Sequence, residues 1–255
     1  YEKFGERNWY QSRLNGVDTI LSNPDPNVQR NSGYDQLNLT GKIRYQPTKN
    51  IDLIYAANFA TTSNTPRYDR LIETPNGALR SAEWYYGPQL WLNTNLTANF
   101  NIKNDAWDKS RIIIGYQQFE ESRHDRRFNS NNLRSRTEKV DAYNLNVDFD
   151  KKIKEKHVLF YGIEGVYNTV NSEGISTNII TGVSSPEASR YPDGGSNFLT
   201  SAVYVGYRQD VSKKSTLNTG IRLTNINKNA TWLDESFLTF DDKSLSRNNS
   251  AVTAT

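Results

Sequence analysis

The stretch Leu37-Asn38-Leu39-Thr40-Gly41-Lys42-Ile43-Arg44-Tyr45 decides how the rest of the chain is read. Its odd positions are apolar or Gly and its even positions polar or charged, which is the period of a strand with one greasy and one wet face. Working outward, Ile51, Leu53, Tyr55, Ala57 and Phe59 repeat the pattern, and so do Leu90, Leu92, Leu96, Ala98 and Phe100. Ile112, Ile114 and Tyr116 alternate less cleanly, because Ile113 and Phe119 fall on the other face. Tyr143 to Phe149, Leu159 to Tyr167, Leu199 to Tyr207 and Leu217 to Leu223 complete eight strands of about 10 to 14 residues each. A ninth is expected near Ala251, and Asn8 to Leu14 reads as the tail of an earlier one. No stretch shows a capped 3.6-residue period, so essentially no helix is expected.

The connections alternate too. Gln46–Asn50, Lys103–Lys109, Lys151–Lys156 and Ser212–Ser215 are short and carry lysine. Ser63–Trp84, Ser122–Arg136, Val170–Asn197 and Lys228–Ser246 are long. Short turns at one end and long loops at the other are what an up-and-down antiparallel sheet produces when one end carries function.

Composition narrows the classes. The 31 Lys plus Arg against 28 acids leave a formal charge of +3, too small an excess for a nucleic-acid binder, so no nucleic-acid partner is expected. With no Cys and only two His, disulfide scaffolds, thiol chemistry and multi-histidine metal sites drop out, and no cofactor is expected. Only 35% of residues are apolar, yet 15 Tyr and 5 Trp argue against disorder. The longest apolar runs, such as Leu53 to Ala57, are far below the roughly 18 residues of a spanning helix. Strands that show lipid only every second residue reconcile these facts. Strand lengths match the ~9–11 tilted residues that cross hydrocarbon. Aromatic residues also gather near strand ends (Tyr45, Trp107, Phe149, Tyr167, Tyr207), as interfacial girdles require. A soluble β-sandwich remains the rival, and it requires Tyr143, Leu145, Val147 and Ile221 to pack in a water-excluding core.

At about 28 residues per strand with its loops, a plugged barrel of about 22 strands needs on the order of 600 residues. Tyr1 and the run Ser250 to Thr255 read as cuts inside strands, so a slice of such a barrel is expected. The run Thr61-Thr62-Ser63-Asn64-Thr65-Pro66-Arg67-Tyr68-Asp69-Arg70-Leu71, followed by Ala82-Glu83-Trp84-Tyr85-Tyr86-Gly87-Pro88-Gln89, resembles the barrel of TonB-dependent outer-membrane receptors, particularly the Bacteroidetes type. The Lys-bearing turns and the closing Asn249 to Ala254 fit the same family. The resemblance implies an all-β, antiparallel up-and-down transmembrane β-barrel, with residues 1–255 supplying about eight to ten of its 22 strands. The plug domain, the TonB-binding box and the terminal strand have no counterpart in this sequence. It further implies import of a scarce nutrient of the ferric siderophore, haem or cobalamin class, energised through TonB in the bacterial outer membrane. The implied partners are the protein's own plug, the TonB complex, outer-membrane lipid and lipopolysaccharide, and a small nutrient ligand. A passive porin-like channel is the membrane alternative, separated by whether a plug precedes the barrel.

Candidate ligand contacts lie on the long connections. Arg123, Arg126, Arg127, Arg134 and Arg136 cluster around the single acid Asp125, a set that can draw an anionic ligand or bind lipid phosphates. His124, in the same connection, reads either as an axial haem ligand or as a solvated imidazole. Arg67, Tyr68, Arg70, Arg80, Trp84, Tyr85 and Tyr86 combine cations with aromatic faces, suited to stacking on a flat ligand or to anchoring at the interface. Arg190 and Tyr191, before Pro192-Asp193-Gly194-Gly195, form a turn that either closes over a ligand or is an ordinary loop. No catalysis is expected: the pairs Glu120-Glu121 and Asp241-Asp242 point to opposite faces of a strand and cannot flank one bond.

Overall fold

A computed structural model describes residues 9–25, 27–233 and 244–254. The strands are β1 (Trp9–Leu14), β2 (Val17–Ser22), β3 (Gln36–Thr48), β4 (Ile51–Thr62), β5 (Thr65–Pro66), β6 (Ser81–Tyr86), β7 (Leu90–Phe100) and β8 (Lys109–Arg127). They continue as β9 (Asn132–Lys154), β10 (His157–Asn178), β11 (Ser184–Pro186), β12 (Ser196–Ser212), β13 (Ser215–Thr231) and β14 (Ser244–Ala254). Nine of them pair antiparallel in the order β3-β4-β7-β8-β9-β10-β12-β13-β14, with β5, β6 and β11 attached beside this wall. The middle of the Lys228–Ser246 connection and the pair Asp241-Asp242 lie outside the described residues.

Register explains the alternation. Tyr45, Leu53, Ala98, Ile112, Val147, Ile163, Val203, Leu223 and Val252 are successive cross-strand partners from β3 to β14. One apolar row thus crosses the whole wall. Tyr116, Tyr143 and Tyr167 pair across β8, β9 and β10 on the same face, nearer the long connections. Trp107, Phe149 and Tyr161 cluster nearer the short turns, with ring centroids 6.1 and 5.1 Å apart. Between Leu159 and Tyr167 the apolar face of β10 runs for about 27 Å of strand, close to what a tilted crossing needs.

Among the described residues, nothing covers this face. Leu71, Ala82 and Ala202 are the only buried apolar side chains among the described residues. Tyr143, Leu145 and Ile221 are exposed by 50, 39 and 53%, and Val147 is half-buried. The sandwich alternative needs those side chains to exclude water against a second sheet, and they do not.

The opposite face is polar and internally paired. Asp52, Asn99, Arg111, Asp148, Gly162, Tyr204 and Arg222 form its matching row. Arg44 is bidentate to Asp52 (2.7 and 3.3 Å), Arg111 donates to Asn99 (3.1 Å) and Arg222 donates to Glu164 (2.8 Å). The Tyr204 hydroxyl reaches across β10 to the Asp148 carboxylate. It can do so because Gly162 lies between them, where a Cβ would meet the Tyr204 hydroxyl and the Val147 carbonyl.

Three expectations need correction. β3, β4 and β7 (13, 12 and 11 residues) fall within the expected 10 to 14, but β8, β9 and β10 run longer, to 19, 23 and 22. Their outer halves are polar on both faces, so ladder hydrogen bonding continues where hydrophobic periodicity has stopped. For the same reason Ser122–Arg136 is no long loop but the top of a hairpin, turning only through residues 128–131, and part of Val170–Asn197 is strand as well. A single helical turn, α1 (Tyr68–Leu71), and a 3-10 turn at Pro75–Gly77 also occur, both too short for a 3.6-residue period to register. The expected tail at residues 8–14 is β1, and it pairs with the unforeseen β2 through Asn15-Gly16, both at positive φ (50° and 80°).

Candidate functional site

Beyond the tyrosine row, β8, β9 and β10 project as a three-stranded ribbon, and β6 pairs with the outer end of β8. Strand alternation sorts the arginines of this region between two faces.

The first face carries Arg126, whose side chain is 2% exposed. Arg126 is bidentate to Asp18 of the β1–β2 hairpin (2.7 and 2.9 Å), donates to Glu83 (2.6 Å) and to the Ser130 carbonyl (2.7 Å). Asp18 also accepts from Arg13 (3.1 Å) and the Asn129 amide (2.6 Å). Burial acts to raise the Asp18 pKa, and the hydrogen bonds from Arg126, Asn129 and Arg13 outweigh it, leaving the carboxyl below its usual range. The guanidinium of Arg126 is therefore committed to holding the hairpin down. His124 stacks on Tyr85 (4.6 Å between centroids), with Nδ1 on Ser135 Oγ (2.8 Å) and Nε2 on Ser122 Oγ (3.0 Å). Burial lowers its pKa and favours the neutral ring. Both ring nitrogens are occupied, so an axial contact to a haem iron requires one of these bonds to break.

The second face gathers most of the remaining candidates. Trp84 and Tyr86, alternate residues of β6, meet edge to face at 5.0 Å. Arg67 lies over them at 5.2 and 5.4 Å, and Arg123 at 5.7 and 4.9 Å. Arg67 also donates to Tyr86 Oη (2.9 Å) and is bidentate to Asp69 (2.8 and 2.6 Å), and these contacts lower the Asp69 pKa. Tyr68 opens the helical turn beside them. Arg70 and Arg80 share Glu73 (2.6 and 3.5 Å). With Arg127, Arg134, Trp84 and Asp125 they line a cleft of about 100 Å³.

Further along the ribbon, Asp125 accepts from both Arg134 and Arg136 (3.2 Å for the latter). Arg190 reaches Glu121 (3.2 Å) and Glu138 (3.6 Å), folding the 187–191 segment over β8–β10. Glu138 is 4% exposed and neither carboxylate oxygen has a hydrogen bond. Burial pushes its pKa up. Tyr191 lies under the Arg190 guanidinium (5.6 Å) and lines an open cleft of about 1020 Å³ with Lys139, Glu173 and Trp232. Of the sequence candidates, Arg67, Arg70, Arg80, Trp84, Arg123 and Arg127 thus come together, Arg190 and Tyr191 stand at a neighbouring cleft, and Arg126 and His124 face the other way. The carboxylates that hold these arginines, Glu73, Asp69 and Glu138, went unsingled in the sequence. Their only signal was proximity to an arginine along the chain, and for Glu138 the partner, Arg190, lies far along the sequence.

No protein-family model matches the sequence, and no curated protein matches it. Among solved structures, the chain is similar to the copper transporter OprC, with a TM-score of 0.65 at 9% identity, covering 88% of this chain and 34% of that one. It is also similar to the ferric citrate transporter FecA in its unliganded form, with a TM-score of 0.57 at 14% identity, covering 89% of this chain and 33% of that one. Both are transporters, and this chain spans about a third of the length of each. Its nine-strand wall has the antiparallel fold of part of the barrels of those two proteins.

Proposed function

We propose that this chain is part of the barrel wall of a TonB-dependent importer in the bacterial outer membrane. The observation that carries the reading is the apolar row crossing all nine strands, exposed or half-buried and uncovered among the described residues, opposite a face of paired charges. Such a wall is stable with lipid on one side and a polar interior on the other. The likeness to OprC and FecA favours a plugged transporter over an open channel, with the plug and TonB as partners. No catalytic step is assigned.

The cargo class is a scarce nutrient carried as a ferric siderophore, haem or cobalamin, and the arginines favour its anionic members. Arg70, Arg80, Arg127 and Arg134 converge on one cleft beside the Arg67–Trp84–Tyr86–Arg123 stack. A guanidinium fork binds a carboxylate through two parallel hydrogen bonds, and the aromatic faces accept a flat ligand.

Deletion of the gene, with growth measured on ferric siderophores, ferric citrate, haem and cobalamin as limiting sources, tests the function. Growth on at least one source should fail and return with the wild-type gene. An R127A/R134A double variant should reach the surface normally and take up that source about ten-fold more slowly, the cost of one or two lost charge-assisted contacts. Unimpaired growth of the deletion strain on every source would end the importer reading.

A further inference from the structure

Cations in this chain are largely segregated by type, with Lys139 on the ribbon and Arg44, Arg111 and Arg208 near the short turns as exceptions. The projecting ribbon uses arginine, nearly all of it paired with carboxylates. The opposite end, where the strands turn tightly, uses lysine. Lys49, Lys152, Lys154, Lys156, Lys213 and Lys214 sit at or beside three of the short turns, all exposed. None of these six has an ion pair among the described residues. At this end the lysine that does is Lys151, with Asp108 (3.5 Å). Exposed acids here, such as Asp105 and Glu155, are few beside them.

The aromatic cluster fixes the depth of this rim. Trp107, Phe149 and Tyr161 lie on the apolar face next to the turns, and the Tyr161 hydroxyl donates to the Ala106 carbonyl (2.8 Å), tying the 101–108 connection to the wall. Amphipathic rings settle at headgroup level. The lysines lie on the water side of these rings, where flexible stems reach back to the headgroups. Lys152 is three residues beyond Phe149, and Lys154 and Lys156 are five residues from Phe149 and Tyr161 respectively. A lysine is a compact, strongly hydrated point charge on a flexible stem, suited to a mobile phosphate and poorly suited to the fixed forks the ribbon builds with arginine.

We propose that the short-turn rim is a basic collar that binds the phosphates of anionic phospholipids in the adjoining leaflet. The proposal rests on the membrane-barrel reading. The partner is identified by charge, by depth and by the lack of an ion pair at any of these six lysines among the described residues. Each lysine near an anionic surface adds roughly a five-fold preference, so several together give a selectivity well above ten-fold.

The test uses the full-length protein in phosphatidylethanolamine bilayers, with tryptophan quenching by brominated phosphatidylglycerol compared with brominated phosphatidylethanolamine. The wild type should prefer phosphatidylglycerol by about ten-fold or more at low salt, and K154Q/K156Q/K213Q/K214Q should bring the two lipids near parity. Salt at 1 M, where the screening length is about 3 Å, should do the same to the wild type. No preference in the wild type, or a preference that survives the four substitutions, would overturn the collar. So would competition by lipopolysaccharide that the substitutions abolish, since that places the patch at the other leaflet. Quenching by brominated phosphatidylethanolamine is required in both proteins. If neither lipid quenches, the membrane reading itself fails, and the two failures are thereby told apart.

Discussion

Replacing Asp18 by Asn should release the β1–β2 hairpin while leaving the wall intact. Asp18 and Arg126 are 1 and 2% exposed at their side chains, and four donor groups converge on the carboxylate. Removing one charge of a buried pair costs about 3–5 kcal/mol, because the partner is left uncompensated. Asn keeps the shape and two acceptor lone pairs, and Arg126 keeps Glu83 and the Ser130 carbonyl, so the lower end, about 3 kcal/mol, applies. That corresponds to roughly a hundred-fold larger opening constant for the hairpin. β1 and β2 pair only with each other, so this opening is local. Hydrogen exchange in the full-length protein should show β1–β2 amides accelerating by about that factor, with β9 and β10 amides unchanged. The folded-state pKa of Asp18 is depressed, so its contribution is complete above the ordinary aspartate value of about 3.9 and is lost as pH falls through the lower folded value. Wild-type hairpin protection should therefore fall in acid, and the variant should show no such dependence. Exchange in the variant within three-fold of wild type at pH 7 would refute the anchoring role.

Three further outcomes follow from the same geometry. Val203→Arg places a charge in the apolar row and should cost about 2–4 kcal/mol at mid-membrane depth, whereas Asn95→Arg on the polar face should assemble normally; heat-modifiable mobility of the two variants separates them. Gly162→Ala should displace the Tyr204 ring from Asp148 and lower stability by about 1–3 kcal/mol, read as a drop in Tm in detergent. Glu138→Gln should stabilise the ribbon at neutral pH: ionising the buried carboxyl costs nothing below the ordinary glutamate pKa of about 4.3, and the penalty sets in as pH rises through the elevated folded value. Thermal melts of the two proteins should converge at pH 4 and separate at pH 8.

What could be read from the sequence was what a sheet with one apolar face dictates. A strand with one apolar and one polar face has to alternate, so Leu37 to Tyr45, Ile51 to Phe59 and Tyr143 to Phe149 announced their strands, and their partners fell into a single register. The projection obeys no such constraint. Ser122 to Arg136 is polar on both faces, and only its hydrogen-bond ladder shows that it is strand. The β1–β2 hairpin was legible in Asn15-Gly16, a dipeptide suited to positive φ at both turn positions, but Asp18 was not, since its partner lies 108 residues away. Candidate arginines could be found by clustering, whereas the face each one occupies depended on the parity of its strand position. That parity separates Arg126, spent on Asp18, from Arg123 and Arg127.

Parity also bears on how an anion would bind. The projection has almost no apolar side chain to bury, so its tertiary contacts are largely charge pairs: Arg67 with Asp69, Arg134 and Arg136 with Asp125, Arg190 with Glu121 and Glu138. An incoming carboxylate at any of these arginines must displace one already there, so the gain is a difference between two similar bonds. Arg127 is exposed and has no carboxylate partner among the described residues, and the buried Nε of Arg123 has no hydrogen-bond acceptor. An anion that reaches Arg127 forms contacts without breaking any, whereas Arg123 is already paired with Glu121 (3.7 Å). Binding that begins at Arg127 and only then exchanges with Asp125 would draw its affinity from the one cation without a carboxylate partner and its selectivity from the exchange.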